Sequence, residues 1–133
     1  MQDYQTYYSE IIKPFFAPEP WVFGLAWGII YPLIAIAAVL MFFAWHKKEL
    51  SVKLLYVFIV NMLANFAFTP LQLGFPEAPW ATLDIFLVLV TLSYLEFHFW
   101  KNHKLIFFLL LPYLLWGGFA TILQITIYVL NFS

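Results

Sequence analysis

The chain has 133 residues, of which 65% are hydrophobic and only 10% charged, with a formal net charge of −1. Soluble domains are about 45–50% apolar and about 25% charged, so a globule of this length could not hide its apolar surface, and the solvent is largely lipid. Disulfides, thiolate metal sites and cysteine nucleophiles are excluded because there is no cysteine, and six lysines without arginine make no basic stripe for nucleic acid.

Residues 1–20 carry Glu10, Lys13 and Glu19 among prolines at 14, 18 and 20, so they hold no apolar run of the signal-peptide kind. They are expected to lie outside the membrane. A spanning helix needs about 20 apolar residues, and four stretches qualify: about 21–45, 53–74, 79–100 and 105–131. Backbone groups in lipid must be satisfied within the span, which favours helices, and no alternating barrel pattern is present. The fold class is therefore all-α: a polytopic membrane bundle of four transmembrane helices, forming a single domain over 1–133.

Lysine placement sets the expected orientation. Lys47, Lys48 and Lys53 lie at the first loop, Lys101 and Lys104 at the third, whereas the middle loop has only Glu77. Loops one and three are expected to face the cytoplasm of a bacterial cytoplasmic membrane, and both termini to face outward.

Span one opens on Trp21, Phe23, Gly24, Trp27, Gly28 and Tyr31, a density of rings and small residues that a plain anchor does not need. Its Gly24-x-x-x-Gly28 spacing, continued by Ala35 and Ala38, suits close approach of a helix or a flat ligand. In span two, Asn61, Asn65, Thr69 and Gln72 share one helix face. Span three carries Trp80, Asp84, Thr91 and His98, and span four aligns Trp116, Ala120, Gln124 and Tyr128. Prolines 32, 70 and 112 fall inside spans and are expected to bend them.

Polar residues in lipid normally face the bundle interior, so the four stripes are expected to converge. Interhelical hydrogen bonds are one reading of them, worth about 0.6–2 kcal/mol each. A cavity with aromatic walls and a few placed polar groups is the other. Trp21 and Trp80 fit an interfacial belt; Trp27 and Trp116 lie deeper than a belt explains. Asp84 reads as a structural residue that reaches water, bonds a backbone group or serves as an anion near a helix start; a proton relay is the rival, and it needs a second buried ionisable group, with Glu96 and His98 near the opposite end of the span. His46, His98 and His103 have no metal-ligand spacing, and no Ser-His-Asp or paired-carboxylate arrangement can be assembled.

Three segments together resemble the TspO/MBR family of tryptophan-rich sensory and translocator proteins. KPFFAPEPWVFGLAWGIIY (13–31) resembles the family signature at its second span. NMLANFAFTPLQLGF (61–75) and LPYLLWGGFATILQITIYVLN (111–131) resemble two later blocks, and Trp80 and Asp84 match between them.

The resemblance implies a helix bundle, assembled as a homodimer in the lipid bilayer, whose cavity takes porphyrins (protoporphyrin or haem) or other flat hydrophobic ligands, with no required cofactor and no metal. By resemblance the matching cavity positions are Trp21, Phe23, Gly24 and Trp27; Asn61, Asn65 and Phe68; Trp80 and Asp84; and Trp116, Phe119, Ala120, Leu123 and Gln124. The family's first helix has no counterpart, so the chain is expected to be a short form that starts in the loop after it, with residues 1–20 as a lid over the outer mouth of the pocket or a partner chain filling the gap. Glu19 stands for a family proline, Gln124 for an asparagine, and no basic residue follows Tyr128 as in the animal cholesterol motif.

Some members degrade protoporphyrin in light with a loop tryptophan and the one matching Trp116. Tyr7 replaces the first, so only Trp116 would serve as a catalytic ring. A receptor-like porphyrin binder with a sensory, transport or stress-regulatory role is the leading expectation. A photodegrading enzyme and a ligand-free structural subunit packing through Gly24 and Gly28 are the rivals.

Overall fold

The computed structural model describes residues 4–132; residues 1–3 and 133 of the expected 1–133 domain, including the first three of the 1–20 segment, lie outside the described residues. Five helices follow one another: α1 (Tyr4–Glu10), α2 (Pro20–His46), α3 (Val52–Gly74), α4 (Trp80–Asn102) and α5 (Lys104–Phe132). The last four are each long and apolar enough to cross a membrane. Their ends lie within two residues of those expected, and no strand occurs among the described residues.

The short α1 was not legible in the sequence. Seven residues are too few for a stable isolated helix, and its burial of Tyr7 and Tyr8 shows that docking on the bundle holds it.

Local chemistry sets the ends of the long helices. Glu19 is extended (φ −62°, ψ 149°) and Pro20 opens α2, a position where its missing N–H is not needed. At the other end of α2, the Lys48 N–H donates to the Trp45 carbonyl (2.9 Å) and the Glu49 N–H to that of Ala44 (2.8 Å). This is a Schellman closure, and Lys48 takes the left-handed conformation (φ 64°) where glycine is usual. Pro32, Pro70 and Pro112 all lie inside helices that continue through them.

α3 packs along α4, α4 along α5, and α5 along α2, whereas α2 and α3 touch little. The bundle therefore has one open seam, between α2 and α3. Its core stripes keep steps of four and three residues: Ile30, Ile34, Ala37, Met41 and Ala44 on α2, and Ala81, Ile85, Val88, Leu92, Leu95 and Phe99 on α4. This is the spacing of a knobs-into-holes seam. Most of this core lies toward the lysine-bearing end of the bundle.

The polar stripes converge on a chain of hydrogen bonds across the bundle. The Tyr31 hydroxyl on α2 donates to Asn65 Oδ1 on α3 (2.7 Å), and Asn65 Nδ2 donates to the Tyr113 hydroxyl on α5 (3.0 Å). Tyr113 donates to Asn61 Oδ1 (2.8 Å), and Asn61 Nδ2 donates to Thr91 Oγ1 (2.8 Å) and the Val88 carbonyl (2.9 Å) on α4. Four helices are joined by one relay whose central hydroxyl belongs to Tyr113.

Tyr113→Phe removes that hydroxyl and leaves the Asn61 carbonyl and an Asn65 N–H short of a partner. Thermal or denaturant unfolding in detergent should show a loss of about 1–3 kcal/mol, the usual cost of stranding buried polar groups. An unchanged midpoint would mean that the relay contributes nothing to the bundle.

Candidate functional site

In the half of the bundle away from the loop lysines, the helices line a cavity of about 370 Å³. It falls at the lower end of the range of ligand sites, roughly 300–1,000 Å³. The helical repeat builds its aromatic side: Phe23, Trp27 and Tyr31 stand four residues apart on α2, so they rise along one face. Trp27 stacks on Tyr31 at 5.0 Å and 26° and meets Tyr113 edge-on at 6.2 Å; Phe23 meets Trp116 at 5.7 Å. Edge-to-face contacts of this kind fix ring orientations.

Polar groups enter from α3 and α5. Gln72 Nε2 donates to Gln124 Oε1 (2.7 Å), and Gln124 Nε2 donates to Thr82 Oγ1 (3.2 Å) on α4. Asn65 and Thr69 complete the α3 side, with Phe68 beside them. Two buried polar atoms on the lining have no protein partner: the Trp116 indole Nε1–H, a donor, and Gln72 Oε1, an acceptor. Both atoms are buried within the wall. Among the described residues no carboxylate, lysine or histidine lines the cavity, and the lining offers stacking and neutral hydrogen bonds. Among the described residues, no group of three His, Cys, Asp or Glu side chains could hold a metal ion.

The residues before α2 close over this end. Tyr8 packs edge-on against Phe23 at 5.4 Å and donates its hydroxyl to the Pro18 carbonyl (2.6 Å); Phe16 meets Phe119 at 6.2 Å. The Tyr7 hydroxyl bonds the Gln72 side chain. Ile12 and Asn131 exchange two bonds, each 2.8 Å, in which the side-chain amide of α5 copies a backbone pairing.

Of the residues matched by resemblance, Phe23, Gly24, Trp27, Asn65, Phe68, Trp116, Ala120, Leu123 and Gln124 line the cavity, and Trp21, Asn61, Trp80, Asp84 and Phe119 do not. Trp21 and Trp80 are 67% and 51% exposed at the helix starts, where belt tryptophans sit. Asn61 is fully buried in the relay. Phe119 stands behind Trp116, at 5.4 Å. Asp84 is half-buried outside the lining, with one oxygen buried and unpartnered. Asp84 and Glu96 are separated by about 18 Å along α4 at ~1.5 Å per residue, too far for direct proton exchange.

Among the described residues, no neighbouring helix closes on the Gly24-x-x-x-Gly28 spacing. A Cβ at either glycine would find nothing within 4 Å. Tyr31, Thr69 and Gln72, which belong to the stripes read from the sequence, line the cavity as well. Ile85, Val88, Tyr113, Gly117 and Ile127 also line it and were not singled out. For Tyr113 a signal existed: it lies three residues before Trp116, hence on nearly the same face.

The sequence model of the TspO/MBR family matches residues 1–130. The chain is 31% identical over 127 residues to a tryptophan-rich protein TspO of Bacillus cereus, covering 96% of this chain and 82% of the relative. It is 35% identical over 137 residues to the protein of the same name from Archaeoglobus fulgidus, covering 98% and 83%. With the human translocator protein the identity is 28%, covering 89% of this chain and 70% of the relative.

Tyr7 gives this end of the molecule a pH dependence. Burial pushes its hydroxyl from the ordinary 10.0 up to about 12, against a smaller lowering by the Gln72 bond. Because the docked form prefers the neutral phenol, its contribution is complete below pH ~10 and lost as pH rises through ~12. Protease accessibility of the first 20 residues should therefore rise across that window, and Tyr7→Phe should abolish the step. A step that survives the substitution would assign it to another group.

Proposed function

This chain belongs to the TspO/MBR family of integral membrane proteins, and we propose that its cavity binds a flat, largely apolar molecule of the porphyrin class in a sensory or transport role. The observation that carries this reading is that Trp27 and Trp116, from two adjoining helices, both line one cavity together with Phe23 and Tyr31. Ring faces suit a conjugated plane, since dispersion grows with contact area. Among the described residues the lining carries no charged group, which favours burial of the ligand's apolar body and leaves any carboxylates at the mouth.

Two features support a route for such a ligand. The α2/α3 seam, where Tyr31 stacks on the exposed Phe66 at 6.1 Å and 23°, offers a path from the bilayer. The docked segment around Tyr7, Tyr8 and Phe16 serves as a lid at the other end. With the lysine-bearing loops facing the cytoplasm, this lid and both termini face outward. The human relative's name, translocator protein, is in keeping with a carrier role.

Titrating the purified chain with protoporphyrin should give saturable tryptophan quenching at micromolar ligand. A buried aromatic anchor is worth about 2 kcal/mol, so Trp27→Ala and Trp116→Ala should each weaken binding about thirtyfold. Trp21→Ala and Trp80→Ala, outside the cavity, should leave it unchanged. Quenching that never saturates, or that falls equally in all four variants, would refute the assignment.

A further inference from the structure

Among the pockets at the opposite end of the bundle is one of about 320 Å³, between the end of α2, the turn after it and the first turn of α5. Lys47, just past the end of α2, and Lys104, the first residue of α5, both stand on it, with His103 and Glu49 beside them. The wall is a built one. The His103 ring lies 3.2 Å from the Glu49 carbonyl, tying the two loops together, and the left-handed Lys48 turns the chain there. Below the charged rim the lining becomes apolar, and Phe43 and Leu105 are both largely exposed.

A cationic rim over an apolar flank, at the end of a membrane-spanning bundle, matches an amphiphile seated at headgroup depth. Basic pockets between transmembrane helices are a recurring form of anionic headgroup recognition. Five of the chain's six lysines lie at this end, against the single loop carboxylate of Glu49. Lys104 lies over the Trp100 ring at 4.8 Å, which restrains its ammonium beside the pocket, and Lys47, just past the end of α2, lines the same pocket. Lys53 and Lys101, over Tyr94 and Phe97 respectively, are outside the pocket.

We propose that this pocket seats one anionic phospholipid of the lysine-side leaflet, its phosphate held between Lys47 and Lys104 and its acyl chains running past Phe43 and Leu105. The site is separate from the tryptophan-lined cavity and does not depend on what that cavity binds. A free phosphate would use the lysines alone; a phospholipid uses both halves of the pocket.

The full chain in a neutral detergent, titrated with short-chain phosphatidylglycerol, phosphatidylcholine or inorganic phosphate, tests this through its thermal unfolding midpoint. Phosphatidylglycerol should raise the midpoint saturably, and the other two should not at matched concentrations. At about 1 kcal/mol per lysine, the double variant K47Q/K104Q should raise the half-saturating concentration at least about tenfold. K53Q/K101Q, with the same loss of charge, should change it less than about threefold. On the wild-type chain, native mass spectrometry should retain one phosphatidylglycerol in preference to phosphatidylcholine, a readout independent of any variant's folding. Equal weakening in the two doubles would replace the pocket with a diffuse charged rim. An equal response to inorganic phosphate or to phosphatidylcholine, or no preferential retention, would overturn the lipid assignment.

Discussion

Inside a bilayer a side-chain amide or hydroxyl has no water to turn to, so each must find a partner within the bundle or remain expensive. In this chain that constraint organises the interior. Tyr31, Asn65, Tyr113, Asn61 and Thr91 form one ordered series of donors and acceptors from α2 to α4. Tyr113 both accepts and donates, so α5 is locked to both ends of the Asn61–Asn65 turn of α3. The relay also marks a boundary. On its lysine-bearing side the helices close on a packed core; on the other side they part to make the cavity.

That division explains how one small bundle carries a site. A cavity is tolerated where surrounding side chains cannot collapse into it. Here the ring contacts from Phe23 through Trp116 and Trp27 through Tyr113 hold the walls apart. The Gln72–Gln124–Thr82 bonds tie α3, α5 and α4 together beside the same space. Because α2 leans on α5 and barely on α3, the ring-bearing α2 face keeps an edge toward the bilayer. The pair of bonds between Ile12 and Asn131 closes the other end without adding a charge to the interior.

Much of this was legible in the sequence, and the part that was not has a physical cause. The four spans followed from apolar length, and their interior faces from the rare polar residues, because in lipid a polar stripe marks the inside. Apolar periodicity could not do the same. Ile30 and Ile34 are buried while Leu25, Ile29 and Ile36 face outward, and lipid accepts both. Ile85, Val88 and Ile127 on the cavity were hidden for that reason. α1 was hidden because tertiary docking, not local propensity, holds it. Trp21 and Trp80 show the limit of carrying positions over by resemblance: a tryptophan at a helix start also answers to the membrane interface.

The central claim is that Trp27 and Trp116, of the six tryptophans, face the ligand. Indole ¹⁵N labelling of the chain in lipid nanodiscs resolves each tryptophan separately, and protoporphyrin's ring current reports proximity. Adding protoporphyrin should shift the indole signals of Trp27 and Trp116, with Trp116 moving further if its unpartnered N–H gains an acceptor, while Trp21, Trp45, Trp80 and Trp100 stay in place. Shifts confined to those four, with Trp27 and Trp116 unmoved, would contradict the account.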